Sequence, residues 1–298
     1  MAITLTTIAD ELSPIVKRGY AEGAKAYSPV YDKFMNVESS ADYYWEELEA
    51  GGIGYLQQIG ELEDVPTADF TYGSTKQYVA TGRGLSIVVG RQTWKYQRLG
   101  IVSQSSKMLG MAVKKTVDED CTALFNDGDD TYTTPDGLFI FDTAHINLYG
   151  GTYDNIPGAA SALSISAVNN AYYLMSTTLR HDVAPGGNQP KYIMFHPNKA
   201  SVVHAILKSA QIPGSANNDS NFMFNRLIPI ENNLLNNINS WYLLSDKADH
   251  RMKLVWFMKP KMSRWTQDSN KSIHFDVVTD YDRGATSGLG LWGEYAAA

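Results

Sequence analysis

The chain has 298 residues, 44% hydrophobic and 11% aromatic, enough to bury a core, so global disorder is excluded. A net charge of −7 with no run of lysine or arginine argues against a surface that grips nucleic-acid phosphates, and no apolar run approaches the ~18 residues of a membrane span. A single cysteine, Cys121, excludes a disulfide framework within the chain, and the N-terminus lacks a basic stretch followed by an apolar one, so an acidic, soluble, intracellularly made protein is expected.

In chain order, Ile8, Leu12, Ile15 and Val16 predict a short helical stripe interrupted by Pro14, followed by the irregular segment SPVYDKFMNVESS. Residues 1–40 hold too few apolar side chains for a core of their own and should lie on the body of this subunit or of a neighbour. Residues 41–90 change to Gly-, Thr- and Tyr-rich extended chain. Leu85, Ile87 and Val89 alternate with Ser86 and Val88 at the strand period. The acidic run ELEDVPTADF, residues 61–70, separates two extended stretches, which predicts a long β-hairpin with an acidic tip. A hairpin is marginal alone in water, so this one should rest on another surface.

The organising stretch runs from Trp94 to Asn126. Val102, Leu109, Val113, Val117, Cys121 and Leu124 recur at steps of three, four and seven, one face of an α-helix. Lys114, Lys115, Asp118 and Asp120 are expected to point away from that stripe, and Gly110 to mark a bend. Asn126, Asp127 and Gly128 supply the stop. Such a helix spans roughly 45 Å at about 1.5 Å per residue. It reads as the backbone rod of a plate-like subunit, with Cys121 a small buried core residue.

The segment DGDDTYTTPDG that follows is dense in turn residues. Its aspartates fail the EF-hand spacing, because Leu138 stands where a loop opening at Asp127 needs glutamate. Residues 138–255 read as an α/β region. Ser164 or Ser166 caps a helix with the stripe Val168, Ala171, Tyr172, Met175 and Leu179; the strand Tyr192 to Phe195 follows. Pro197 and Asn198 open a second helix carrying Val202, Val203, Ile206 and Leu207. RLIPI, WYLLSD and KLVWFM supply strands of a mixed sheet. Ile273, Phe275 and Val277 alternate in a late strand, and the C-terminal strands are placed to return over the long helix. The fold class is α+β, with one discontinuous domain from about 85–137 and 256–298.

Catalytic motifs fail in turn. GLGLWG, Gly288 to Gly293, matches a dinucleotide fingerprint but leaves no room for the helix that must follow it. Phosphate-loop and GxSxG patterns are missing. The histidines His145, His181, His196, His204, His250 and His274 show no metal-ligand spacing and read as structural. No catalytic, cofactor-binding or metal-ligating residue is assigned, and no cofactor. This favours a structural or binding role over an enzyme.

ALFNDGDDTYTTPDGLFIFDTAHINL resembles the end of the spine helix and the turn after it in tailed-phage major capsid proteins of the Hong Kong 97-type fold. HPNKASVVHAILKSAQIPGSANNDSNF resembles the domain near the capsomer axis in the same family, and WYLLSDKAD with DVVTDYDRGATSGLGLWGEY its late strands and Arg-Gly segment. ELEDVP, GSTKQYVATGRGLSIVV and QTWKYQRLGIV follow in the family's order, so the resemblance covers nearly the whole chain.

The resemblance implies an N-terminal arm (1–40), an extended hairpin or E-loop (41–90), a peripheral P-domain with the spine helix (91–137 and 256–298) and an axial A-domain (138–255). It implies a homo-oligomer of hexamers and pentamers in an icosahedral shell, with a portal protein, packaged double-stranded DNA contacted without sequence specificity, and scaffold or decoration proteins as further partners. The place of action is then the virion, assembled in the bacterial host cytoplasm, with no membrane involved. Contact roles follow by region. The tip residues Glu61, Glu63 and Asp64 meet basic groups of an adjacent subunit, or form a solvated loop. Gln211, Asn217, Asn218 and Asp219 lie on a capsomer-axis loop, or on an ordinary surface loop. Lys259, Lys261, Arg264 and Trp265 lie on a connection reaching the three-fold regions. Some relatives crosslink lysine to asparagine; Lys76 lies on the hairpin, but no crosslink is expected. Others begin with a long cleaved scaffolding segment, for which this arm is too short. The alternatives are an encapsulin-like compartment shell with an enzyme cargo, and a soluble hydrolase or carbohydrate-binding domain.

Overall fold

The computed structural model describes residues 5–51, 56–67, 71–148, 150–178, 188–212 and 219–295. The N-terminal stripe forms a single helix, α1 (Leu5–Ala26), that runs through Pro14 instead of stopping there. Pro14 is exposed, so its missing N–H lies on the solvent side, where the loss is cheapest. Ile8, Ala9, Leu12 and Val16 are buried, and α1 lies on this chain's own long helix. A short turn of helix, α2 (Tyr31–Phe34), leads into β1 (Asn36–Ser39). The hairpin is β2 (Tyr44–Ala50) paired antiparallel with β3 (Tyr72–Val79), and β4 (Thr81–Val89) continues from it after one residue.

The long helix begins later than its periodicity predicts. A short helix α3 (Arg91–Lys95) holds Trp94, Gln97 turns the chain at φ 51°, and α4 runs Leu99–Asn126. Its 28 residues span about 42 Å at about 1.5 Å each. Val102, Leu109, Val117, Cys121 and Leu124 are buried as the stripe requires, and Val113 is half-buried at the edge. Burial pushes the Cys121 thiol well above its ordinary value. One expectation fails. Asp118 is fully buried and Asp120 is half-buried within a cluster of cations, so neither side chain points to solvent. Gly110 is a point of contact: a Cβ there would stand 2.2 Å from the Tyr20 carbonyl oxygen of α1.

After the long helix come β5 (His145–Ile146), β6 (Thr152–Tyr153) and α5 (Ile165–Thr177). Ser164 caps α5 by accepting from the Ala167 amide at 3.2 Å. Val168, Ala171 and Met175 are buried; Leu179 and His181 lie outside the described residues. β7 (Tyr192–Phe195) leads through a 3-10 turn at Pro197–Lys199 into α6 (Ala200–Lys208), then β8 (Ile228–Glu231) and β9 (Trp241–Leu244). On α6, Val202 is exposed while Val203, Ile206 and Leu207 are buried. The long strands β10 (Met252–Gln267) and β11 (Ser272–Ala285) precede β12 (Leu291–Glu294).

Two four-stranded sheets result. The first has the order β1-β10-β11-β4, with β1 parallel to β10 and the other pairs antiparallel. The second has the order β12-β9-β7-β8, mixed because β7 runs parallel to β8 and antiparallel to β9. The C-terminal strands therefore divide. β11 returns toward the long helix as expected, whereas β12 joins the second sheet. The turn that sends it there contains Gly290 at φ 77°, where a side chain would be strained and would meet Ser245 Oγ at 2.4 Å.

Strand alternation sorts the second sheet onto two cores. Ile193, Phe195, Trp241 and Leu243 pack with α5 and α6, while Met194, Tyr242 and Leu244 face the other way, onto the end of α4. There Phe34, Phe125, Phe141 and Tyr242 make edge and tilted ring contacts at 5.1–5.9 Å, knitting helix and second sheet together. A third cluster places Ile8, Leu12 and Val16 of α1 and Val102 of α4 on one face of the first sheet, against Val89, Ile273 and Phe275.

Candidate assembly surfaces

The hairpin is fixed at its base and free at its tip. Glu47 on β2 accepts from the Thr286 hydroxyl at 2.5 Å and pairs with Lys253 at 2.8 Å. The Lys253 ammonium also stands 4.7 Å over the Trp45 ring and 3.4 Å from Glu38. Tyr78 is fully buried with its hydroxyl 3.2 Å from Thr286, and Asp282 accepts from the Val79 amide at 3.0 Å. Lys76 is half-buried and donates to the Thr133 carbonyl at 2.8 Å, with burial lowering its pKa. These contacts hold β3 along the far end of β11.

The tip is built differently. Residues 56–67 are exposed throughout. Glu63 closes a turn by accepting from the Gly60 amide at 2.8 Å, with Leu62 at φ 71°. Glu61 and Asp64 make no ion pair among the described residues. The sequence reading missed the apolar half of this loop: Leu56 and Leu62 are each 101% exposed and Val65 74%, degrees of exposure that a finished surface rarely leaves clustered.

On the predicted axis loop, Gln211 bridges to Ser220, and the Ile212 amide donates to the Asp219 carbonyl at 2.9 Å. Asn217 and Asn218 lie outside the described residues. Asn221 ties the loop's return to α6 by donating to the Ile206 and Ser209 carbonyls. Beside it, the Arg226 guanidinium stacks 3.7 Å over the exposed Phe222.

Lys259, Lys261, Arg264 and Trp265 do not lie on a connection. All four belong to β10, whose turn into β11 comes only at residues 268–271, because the strand pattern continues through Lys259 to Gln267. Lys259 and Lys261 are exposed. Arg264 is committed within the chain, pairing with Asp10 and donating to Ser13 Oγ on α1. The Trp265 ring stacks on His274 at 3.9 Å and donates to Asp276 at 2.6 Å.

The residues that hold these surfaces in place carry little sequence signal. Asp118 accepts from the Val30 amide at 2.9 Å, the Tyr31 amide at 2.7 Å and the Tyr27 hydroxyl at 2.7 Å, pinning the chain between α1 and α2. Asp120 accepts from Arg83 Nε at 2.8 Å and the Tyr281 hydroxyl at 2.6 Å, and lies 3.4 Å from Arg283. That joins β4, β11 and the long helix through one carboxylate. Among the described residues two histidines are buried: His145 binds Asp136 at 2.8 Å, and His250 lies inside the 246–252 turn. Each leaves its Nε2 without a partner, so these two are only partly satisfied. Among the described residues no cluster of His, Cys, Asp and Glu is arranged to hold a metal ion, and no helix is long and apolar enough to cross a membrane.

A family model described as phage capsid protein matches residues 73–297. No curated protein matches the chain. Among solved structures, the procapsid of bacteriophage JBD30 is similar at 14% identity and TM-score 0.54, over 99% of this chain and 77% of that one. The capsid of cyanophage P-SCSP1u is similar at 12% identity and TM-score 0.60, over 91% and 88%. A virus-like particle from Pyrococcus furiosus is similar at 10% identity and TM-score 0.51, over 95% and 97%. At identities this low the likeness is one of fold.

Proposed function

The chain belongs to the phage capsid protein family, and from that premise we propose how it works as the major capsid protein of a tailed-phage head. Its fold is the Hong Kong 97-type capsid fold. Copies join as hexamers and pentamers and close an icosahedral shell around double-stranded DNA in the host cytoplasm. The observation that carries this reading is the hairpin: anchored at its base by half-buried charges, it ends in Leu56 and Leu62, which nothing among the described residues covers. A neighbouring copy that covered them would gain roughly 25 cal/mol per Å² of apolar surface removed from water.

The working parts are the arm at 1–40, the hairpin at 41–90, the peripheral part at 91–137 and 256–298, and the axial part at 138–255. β12 lends its strand to the sheet of the axial part. Glu61, Glu63 and Asp64 act as contact residues at the hairpin tip, the loop of residues 211–222 faces the capsomer axis, and the exposed β10 positions Lys259, Lys261 and Trp265 contribute to contacts between capsomers. A net charge of −7 suits a shell that must release the genome it encloses. A portal protein fills one vertex, and scaffold or decoration proteins act where the assembly uses them. The role is structural and uses no cofactor. The compartment reading is not favoured, since the matching family is one of phage capsids.

Size-exclusion chromatography with light scattering, followed by negative-stain imaging, tests this directly. Megadalton particles or discrete five- and six-fold capsomers are expected. A sharp monomer or dimer that persists across concentration and salt would overturn it.

A further inference from the structure

The edges of the two four-stranded sheets are not alike. β1 and β8 are four residues long, β8 carries Pro229, and β12 is buried throughout. β4 is nine residues long, TGRGLSIVV, and pairs with β11 in one register without proline or bulge. No strand lies on its other side among the described residues. Its one cation, Arg83, turns inward to Asp120. β4 therefore lacks the charges, prolines and irregularities that keep an edge from pairing with another chain. The helix side of this edge is also open. By alternation Leu85 faces α4 together with Arg83, Ile87 and Val89, yet it is 54% exposed. A cavity of about 110 Å³ lies beneath it, lined by Leu85, Ala112, Val113, Thr116, Val277 and Tyr281. Met108 and Ile101, on the same stripe of α4 as Ala112, are 62% and 55% exposed.

The strand is complementary to itself run in reverse. With Leu85 set opposite Leu85 of a second copy, Gly82 faces Val88 and Gly84 faces Ser86, so small stands against large on the outer face, where Val88 is 56% exposed. The charges agree. The start of β4 is acidic: Asp280 is in register with Gly82, and Asp42 precedes Tyr43, whose carbonyl accepts from the Ala80 amide. Its end runs into Arg91, and none of these three charges has an ion pair among the described residues. Antiparallel pairing sets the acidic end of each copy against the basic end of the other. We propose that two copies join across a two-fold axis by antiparallel pairing of β4 on β4, merging their first sheets, with Leu85 and its counterpart closing the gap over α4 and Arg91 meeting the partner's Asp42 and Asp280. The contact uses the same patch on both copies, so it stops at two. It rests on the capsid reading, in which it ties one copy to another across a two-fold axis of the shell.

The test is a Leu85→Cys variant of the full chain, oxidised with diamide or bridged with a short bismaleimide. Denaturing gels should show a covalent dimer and nothing larger, while the parent chain, whose Cys121 is buried, gives none. Val37→Cys, 48% exposed on β1 at the opposite edge of the same sheet, should stay monomeric. In the Leu85→Cys background, Arg91→Glu alone and Asp42→Arg with Asp280→Arg should each cut dimer yield about tenfold, and all three together should restore it, with circular dichroism confirming each fold. A ladder of multimers, no dimer, or folded charge variants that the combination fails to rescue overturns the proposal. So does an introduced thiol that is shielded in particles yet uncrosslinked, since another segment then occupies the edge. Particles are scored separately by light scattering: a parent chain that forms none refutes the capsid reading, and the covalent dimer alone then decides whether β4 pairs with itself.

Discussion

Asp118 accepts hydrogen bonds from two amides and one hydroxyl on a carboxylate that solvent does not touch. On the helix wheel it is indistinguishable from the exposed Lys115, because periodicity reports which face a residue occupies and not what comes to meet it. His250 is a second buried polar group with a measurable consequence. Burial, with Lys247 nearby and Asp246 opposing, lowers its pKa from 6.5 to about 4. The folded chain therefore holds fewer protons than the unfolded one between those values. Stability should fall as pH drops from 6.5 to about 4 and level off below, by roughly 3–4 kcal/mol at most, since each unit is worth about 1.4 kcal/mol. Chemical denaturation of His250→Gln beside the parent chain across that range checks it. The variant should lose this part of the pH slope; an unchanged slope would remove His250 as its source.

At the scale of elements, the crossing of α1 on α4 is made by glycines. A Cβ on Gly23 would stand 1.9 Å from the Lys107 carbonyl oxygen, and one on Gly110 2.2 Å from that of Tyr20, so the two backbones meet where side chains are missing. Gly100, in the first turn of the same helix, has open space around it. The two glycines of one helix should therefore respond with opposite sign. Gly110→Ala is expected to destabilise by about 2 kcal/mol through backbone displacement, and Gly100→Ala to stabilise by about 0.5–1 kcal/mol through helix propensity. Denaturation midpoints decide it; a neutral Gly110→Ala would mean the helices separate without loss.

For the whole molecule, the separation of anchored base from exposed tip means that folding and assembly can be pulled apart. Replacing residues 56–67 by a short Asn-Gly turn removes only exposed side chains. The shortened chain should keep its circular dichroism spectrum and its melting temperature within about 2 °C, while forming no particles by light scattering. A large loss of melting temperature would show that the tip supports its own subunit instead.

The long helix, the hairpin, the capped helix at Ser164 and the alternating strands were legible in the sequence because each is dictated by local periodicity and capping, which need no knowledge of the rest of the chain. The order of segments carried the family in the same way. The start of α4 at Leu99, five residues late, was not legible, since Trp94 fits the stripe and only the left-handed Gln97 breaks it. Nor was the continuation of β10 through Lys259 to Gln267, whose polar side chains look like a loop until β11 pairs with them. Asp118 and Asp120 were read as solvated, yet they became the ties between distant segments. Charge pairing and backbone approach join residues tens to hundreds of positions apart, and only the tertiary structure brings those partners within reach.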